Sequence, residues 1–489
     1  MAPSGSLSNT TRKRAAPPPG ARNNPNCSGS AWRPAPWGCA AAAQLAPGVS
    51  TLPGAAGDLV VDQLRSRLTF IFTTRMSIQC PMSRCAFVPV PPLAGSVVVG
   101  ERRGWWVRGL MGMVVLGVLT SWLSGPPDDG RDVPLSYVTS PEARATLERK
   151  IGQMLVVGFR GMSVEDAGLV AEQIRGGQVG GVVLFDVDVL NGEQVRNIRS
   201  PDQVRMLING LEREAGGTLL VAVDQEGGRV TRLKEHYGFP PTLSQRELAQ
   251  RGVKTTRQQA AVTARTLSQL GINVNLAPVI DLDINPASPA IGAFSRSFSA
   301  DTRIVSEHAQ AVIHAHHEQG VLTAVKHFPG HGSATADSHG GFVDVSETWS
   351  EAELAPYRAL IHDGMVDIVM TAHVFNRHLD PDWPATLSPS TIIGLLRQRL
   401  GFDGVVMADD MQMGAIAEHY SLETVLRQAI VAGIDVLMFT NNNPRTYEPD
   451  VAPKAINIIA GLVEDGTISR TRIDESVRRI EALKKRLSR

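Results

Sequence analysis

Four short segments of this 489-residue chain gather side chains that can move protons or attack an electrophile. The first is Val223-Asp224-Gln225-Glu226-Gly227-Gly228-Arg229-Val230-Thr231-Arg232. The second runs from Lys326-His327-Phe328-Pro329-Gly330-His331-Gly332 through Ser333 to Asp337-Ser338-His339. The third is Thr371-Ala372-His373 and the fourth Met407-Ala408-Asp409-Asp410-Met411. A carboxylate serves as nucleophile or base. A histidine, with an ordinary pKa of about 6.5, gives and retakes a proton near neutrality. Asp337 stands two residues before His339 and can orient its ring and stabilise the cation. So many His and Asp residues also invite a metal. His327 and His331 have the i, i+4 spacing of a helical zinc pair, but Pro329-Gly330 between them forbids that helix. No His-x-His ends the first apolar run, so no metal and no cofactor is expected. All four cysteines (Cys27, Cys39, Cys80, Cys85) lie in the first hundred residues, which leaves the rest of the chain without thiolate chemistry.

Each segment ends or follows a short apolar run. There are eight such runs, at residues 154–159, 181–185, 218–223, 274–279, 323–327, 367–372, 404–408 and 435–439. Amphipathic stretches lie between them, including 255–270, 303–319 and 351–363. Another is 389–400, with Ser388 as N-cap and Pro389 at the first helical position, and the last is 472–487. Eight strand–helix alternations predict an α/β fold, a (β/α)8 barrel. An open doubly wound sheet would need a Gly-rich phosphate turn, and neither GxGxxG nor GxxxxGK[ST] occurs. In a barrel the C-terminal strand ends share one mouth, where catalytic groups sit. One aspartate at a strand end can simply cap a helix; four polar strand ends at one mouth point to a site.

The motifs VDQEGGRVTR, KHFPGHG followed by DSH, and MADDMQM resemble those of the glycoside hydrolase family 3 β-N-acetylglucosaminidases, in order and spacing, over residues 145–489. The histidine-bearing loop marks that branch against the family's β-glucosidases. The resemblance implies that Asp409 is the nucleophile, His339 the general acid/base and Asp337 its dyad partner. It likewise implies that Asp224, Arg232, Lys326, His327 and Arg296, the last from Ser295-Arg296-Ser297-Phe298, bind the sugar. Many members carry Asp-Thr after KHFPGHG where this chain has Ser333-Ala334, positions outside the catalytic set. Cleavage with retention needs one nucleophile and one proton donor at the anomeric carbon, and a histidine can fill the second role. Pro329, Gly330, Gly332, Gly340 and Gly341 suggest a loop that moves His339 over bound sugar. His331 reads better as a loop-structuring residue than a catalytic one, Asp410 as a support for Asp409, and His373 as either core or site. The implied activity is release of terminal non-reducing N-acetyl-β-D-glucosamine from cell-wall or chitin fragments. Two rivals are a phosphorylase using the same aspartate and a non-catalytic carbohydrate-binding barrel. A deprotonated histidine does not repel phosphate, which keeps the first open. Intact Asp409, Asp337 and His339 argue against the second.

Hydrophobic residues make up 43% of the chain and charged residues 20%, enough for a large core. Lys+Arg and Asp+Glu are both 48, so nothing in the net charge suggests nucleic acid as a partner. The expected partner is a carbohydrate, and the enzyme is expected to act as a monomer in the single-barrel form. Residues 1–100 hold nine basic and two acidic residues and 13 of the 31 prolines. They read as a low-complexity leader, disordered or absent from the mature protein. Residues 101–125 look like a signal or anchor: Arg102, Arg103 and Arg108 precede the uncharged stretch 109–123. Fifteen helical residues span about 22 Å against about 30 Å of bilayer core. Membrane association through 109–123 and an extracytoplasmic location are therefore expected, a cytoplasmic protein with a buried helix being the alternative. Residues 126–144 are read as a linker and 145–489 as the catalytic barrel.

Overall fold

The computed structural model describes residues 140–192 and 195–487. The leader, the apolar segment 101–125 and residues 126–139 of the linker lie outside the described residues. Among the described residues no helix is long and apolar enough to cross a membrane. The first helix, Pro141–Gln153, begins within the residues read as linker. Ser140 sets this start, since its side chain accepts from the Ala143 amide and Pro141 occupies the first helical position.

Among the described residues ten strands follow: β1 Leu155–Gly158, β2 Gly181–Leu184, β3 Leu220–Val223, β4 Val274–Asn275, β5 Leu322–Phe328, β6 Val343–Asp344, β7 Ile368–Thr371, β8 Val374–Phe375, β9 Val405–Ala408 and β10 Leu437–Phe439. Eight of them form one parallel sheet in the order β10-β1-β2-β3-β4-β5-β7-β9. A parallel bridge between Met407 and Val436 brings the last strand back to the first, and the Ala408 amide donates to the Val436 carbonyl across it. The eight runs read from sequence are these eight strands. Every residue of the eight is buried, which is why they read as unbroken apolar runs rather than alternating ones.

Helices cover the sheet. Val253–Leu270 and Thr302–His317 match their expected spans closely. Residues 351–363 divide into a 3-10 turn, Glu351–Leu354, and a helix, Ala355–His362. Ser388 caps the stretch after it, its hydroxyl accepting from the Thr391 amide, but Ser390–Arg399 is wound as a π-helix. The last helix, Arg470–Lys484, is capped by Ser469 and buries Ile473, Val477, Ile480 and Leu483.

The remaining strands, β6 and β8, pair with each other in parallel, Val343 against Val374 and Asp344 against Phe375. A small second core lies with them: Ala334, Val343, Val345, Ala372, Val374 and Ala385, with Trp349 against it. It ties the segment after β5 to the segment after β7. The histidine-bearing loop is thus held at both ends.

Candidate active site

The charged strand ends converge as the alternation requires. Asp224 and Glu226 follow β3, and Lys326 and His327 close β5. Lys326 is 2% exposed, and its ammonium lies 2.7 Å from both Asp224 Oδ1 and Glu226 Oε1. Arg296 grips Glu226 with two parallel hydrogen bonds, Nε to Oε2 at 2.8 Å and Nη2 to Oε1 at 2.6 Å. Arg232 completes the wall, Nη2 at 3.4 Å from Asp224 Oδ2. Burial alone would push both carboxylates up. For Asp224 the charges of Lys326 and Arg232 outweigh it, for Glu226 those of Arg296 and Lys326; Asp224 is held well below the usual range and Glu226 below its ordinary value. Burial likewise opposes the Lys326 cation, and the two carboxylates more than restore it.

His327 is oriented by Asp281, a residue the sequence reading passed over. Asp281 Oδ2 accepts from His327 Nδ1 at 2.6 Å, and both oxygens lie 3.2 Å from the His327 amide. This leaves Nε2 toward Arg296, whose Nη2 is 3.2 Å away. The tautomer follows from these partners: Nδ1 carries the proton, and Nε2 accepts from Arg296. Asp281 Oδ1 also accepts from the His331 amide at 2.8 Å, so one carboxylate holds two histidines of the motif.

Asp409 follows β9 directly, its Oδ1 accepting from the Asp410 amide at 2.8 Å. Burial pushes Asp409 up, and His327, His373 and His339 together outweigh it and keep it ionised. Asp410 is a support, as expected. It is buried, it accepts from the Thr440 amide at 3.0 Å and hydroxyl at 2.5 Å, and burial raises its pKa. His373 is a support too: Nδ1 meets Thr386 Oγ1 at 2.8 Å, and Nε2 meets the Asp410 carbonyl at 3.0 Å.

On the loop, Asp337 Oδ1 lies 2.8 Å from His339 Nδ1 and accepts from the His339 amide at 3.0 Å. The His339 side chain is 70% exposed, at the rim where it can reach a leaving group. Its hydrogen bond to Asp337, and then the charge of Asp409, raise its pKa above the ordinary value, against the partial desolvation that the surrounding cleft walls impose on an otherwise exposed ring. The same bond holds Asp337 well below the usual carboxylate range. Loop and strand ends enclose a cleft with two lobes of about 280 and 480 Å³, and Asp224, Arg232, His339 and Asp409 line both. Arg296, Lys326, His327 and Asp337 line the smaller one. All eight residues proposed from sequence therefore meet in one cleft. The reading missed Glu226 and Asp281, and also Glu353, a buried carboxyl that accepts from the Gly332 amide at 3.0 Å beneath the loop.

A nucleophilic carboxylate, an Asp–His pair and a wall of donors and acceptors in one barrel mouth suit a sugar ring. Residues 146–483 match the family model for the glycosyl hydrolase family 3 N terminal domain. The chain belongs to glycosyl hydrolase family 3. It is a glycosidase, acting on O-glycosyl compounds. Beta-hexosaminidase from Vibrio cholerae is 34% identical over 294 residues, covering 60% of this chain and 83% of that protein. Beta-hexosaminidase A from Pseudoalteromonas piscicida is 28% identical over 400 residues, covering 72% of this chain and 64% of its own length. Among solved structures, a family 3 β-N-acetylglucosaminidase from Paenibacillus aligns with a TM-score of 0.63 at 35% identity, over 70% of this chain and 62% of that one. A β-N-acetylhexosaminidase from Beutenbergia cavernae aligns at 0.62 and 30%, over 69% of this chain and 98% of the other. The resemblance to the N-acetylhexosaminidase branch, read from the His-bearing loop, is borne out by these relatives. Among the described residues no cluster of three His, Cys, Asp or Glu is placed to hold a metal ion.

Proposed function

We propose that this glycosidase is a retaining β-N-acetylhexosaminidase that releases terminal non-reducing N-acetyl-β-D-glucosamine from cell-wall or chitin fragments by double displacement. The observation that carries the reading is the sharing of one cleft by Asp409, the His339–Asp337 pair and the wall of Asp224, Arg232, Arg296, Lys326 and His327. A carboxylate of Asp409 attacks the anomeric carbon. The bond to the leaving oxygen breaks, and protonated His339 hands that oxygen its proton. His339, now neutral, takes a proton from water; the resulting hydroxide attacks the same carbon, and Asp409 departs as carboxylate. The raised pKa of His339 keeps the proton available for the first step, and its contact with Asp337 stabilises the cation that the second step regenerates. Export through residues 109–123 would place this monomeric enzyme near wall polysaccharide, which suits such substrates.

The test compares aryl N-acetyl-β-glucosaminide with the matching β-glucoside. The acetamide substrate should be cleaved far faster, because a site built to bind an amide leaves polar groups unpaired without it. Equal rates would sink the branch specificity. The first-formed sugar should be the β-anomer by proton NMR, and a 5-fluoro sugar should label the peptide containing Ala408-Asp409-Asp410. An α-anomer, or labelling at Asp224 or Asp337, would refute the mechanism. Sugar 1-phosphate outpacing free sugar at millimolar phosphate would identify a phosphorylase instead.

A further inference from the structure

One histidine of the motif has no part in the chemistry above. His331 is 3% exposed, and burial pushes its pKa down to about 4, so its ring is neutral at working pH. Its Nε2 lies 3.2 Å from the hydroxyl of Ser338, the residue between the two members of the Asp337–His339 pair. We infer that His331 is a positioning residue for the proton donor, fixing through Ser338 the segment that presents His339 to the cleft. The inference rests on the proposed function and deepens it.

The case begins with exposure. The side chains of Asp337 and His339 are 40% and 70% exposed, so packing does not place them. Ser338 between them is 4% exposed and is the anchored member of the three. It has two holds: its hydroxyl on His331, and its carbonyl, which accepts from the Ala415 amide at 3.2 Å. Ala415 lies in the short helix Gly414–Ala417 that follows the nucleophile's strand. The second hold ties the donor to the nucleophile's side of the mouth. The first ties it to the sugar-binding side, because the His331 amide donates to Asp281 Oδ1 while Asp281 Oδ2 takes His327 Nδ1. A continuous series of contacts thus runs from His327 through Asp281, His331 and Ser338 to the backbone of His339.

Packing alone does not explain an imidazole here. Nδ1 of His331 is buried with no hydrogen-bond partner among the described residues. An unsatisfied buried nitrogen is costly, and an apolar side chain of similar volume would avoid that cost. What an apolar side chain lacks is the polar contact to Ser338.

The test uses the full chain and a series of N-acetyl-β-glucosaminides whose leaving groups run from activated phenols to alcohols. The variants are His331→Leu, His331→Gln, which keeps a polar group near the place of Nε2, and Ser338→Ala. Misplacing a catalytic group by about 1 Å costs on the order of 10²-fold, and this loss should fall on kcat/KM for alcohols, which leave only when protonated. Activated phenols, which need no proton to leave, should keep nearly the parent kcat/KM, while their kcat falls because the second step still needs His339 as base. His331→Gln should recover most of the loss, and His331→Leu with Ser338→Ala together should be no worse than either alone. A uniform loss across the series, or additive losses in the double variant, overturns the inference. Should His331→Leu fail to fold, the leaving-group series of Ser338→Ala and His331→Gln decides in the same way. His339→Ala is the reference. A flat series there overturns His339 as proton donor and the inference with it, whereas a steep series there beside a flat one for His331→Leu overturns the inference alone.

Discussion

Replacing Lys326 by methionine keeps an unbranched chain of similar length and removes the cation between two carboxylates. The ammonium contacts Asp224 and Glu226 at 2.7 Å each while 2% exposed, so no water can take its place without rearrangement. Glu226 keeps its two-pronged contact with Arg296, and the damage falls on Asp224, whose other cation, Arg232, is farther off at 3.4 Å. Breaking one partner out of a buried pair costs about 3–5 kcal/mol, and the surviving Arg232 contact argues for the lower end. The sign with pH follows from Asp224. Its folded pKa is depressed in the parent, so it stabilises the fold above the ordinary carboxylate range and loses that contribution in acid. Without Lys326 that depression is largely lost, burial is left against the charges of Arg232 and Arg296, and the carboxyl can escape by taking a proton. Urea unfolding of parent and variant should therefore differ by about 3 kcal/mol at neutral pH, with the gap narrowing as pH falls through about 4 and below. A gap below about 1 kcal/mol, the level of an exposed pair, or one that does not narrow in acid, would refute this account of the wall.

Three other outcomes are expected. Asp337→Asn removes the main cause of the raised His339 pKa, so the alkaline limb of the kcat/KM profile should move to lower pH; an unmoved limb would show that another group sets it. Burial pushes Glu353 up to about 7, so its native environment favours the protonated form and that contribution is lost as pH rises through neutrality. Glu353→Gln should accordingly be more stable than the parent in urea at alkaline pH and gain nothing in mild acid, and an equal gain at both would count against it. A chain beginning near residue 130 should be soluble and fully active in the aryl glycoside assay; loss of folding would show that the preceding residues pack on the barrel.

The barrel was legible because parallel strands covered on both faces must be apolar throughout, and polar residues crowd where each strand leaves the core. Asp224, Lys326, His327 and Asp409 announce themselves in that way. Asp281 carries a similar signal, following the fourth run at Val279-Ile280, yet Asp283 stands nearby and one sequence does not rank them. Glu226 lies inside a recognised motif, but its partner Arg296 is 70 residues away, and only the fold pairs them. Glu353 sits in an ordinary helical stretch, and its burial under the loop depends on packing alone. Strands β6 and β8 have two residues each, too few to show a period, and the π-winding of Ser390–Arg399 leaves no mark on apolar spacing.

The wall of the cleft is built almost wholly from ions, yet its closest members cancel, Asp224 and Glu226 against Lys326 and Arg296, while Arg232 and the ionised Asp409 add one charge of each sign. Such a surface offers many fixed donors and acceptors with little net field. An empty site of this kind gathers no counterions that a ligand must displace, so binding of an uncharged sugar should be nearly indifferent to ionic strength. A uronate or sulfated ring would bring one charge too many into a set already matched, and would have to break an internal contact to be accepted. The charges that look made for an ionic ligand are, by their pairing, expected to favour a neutral one.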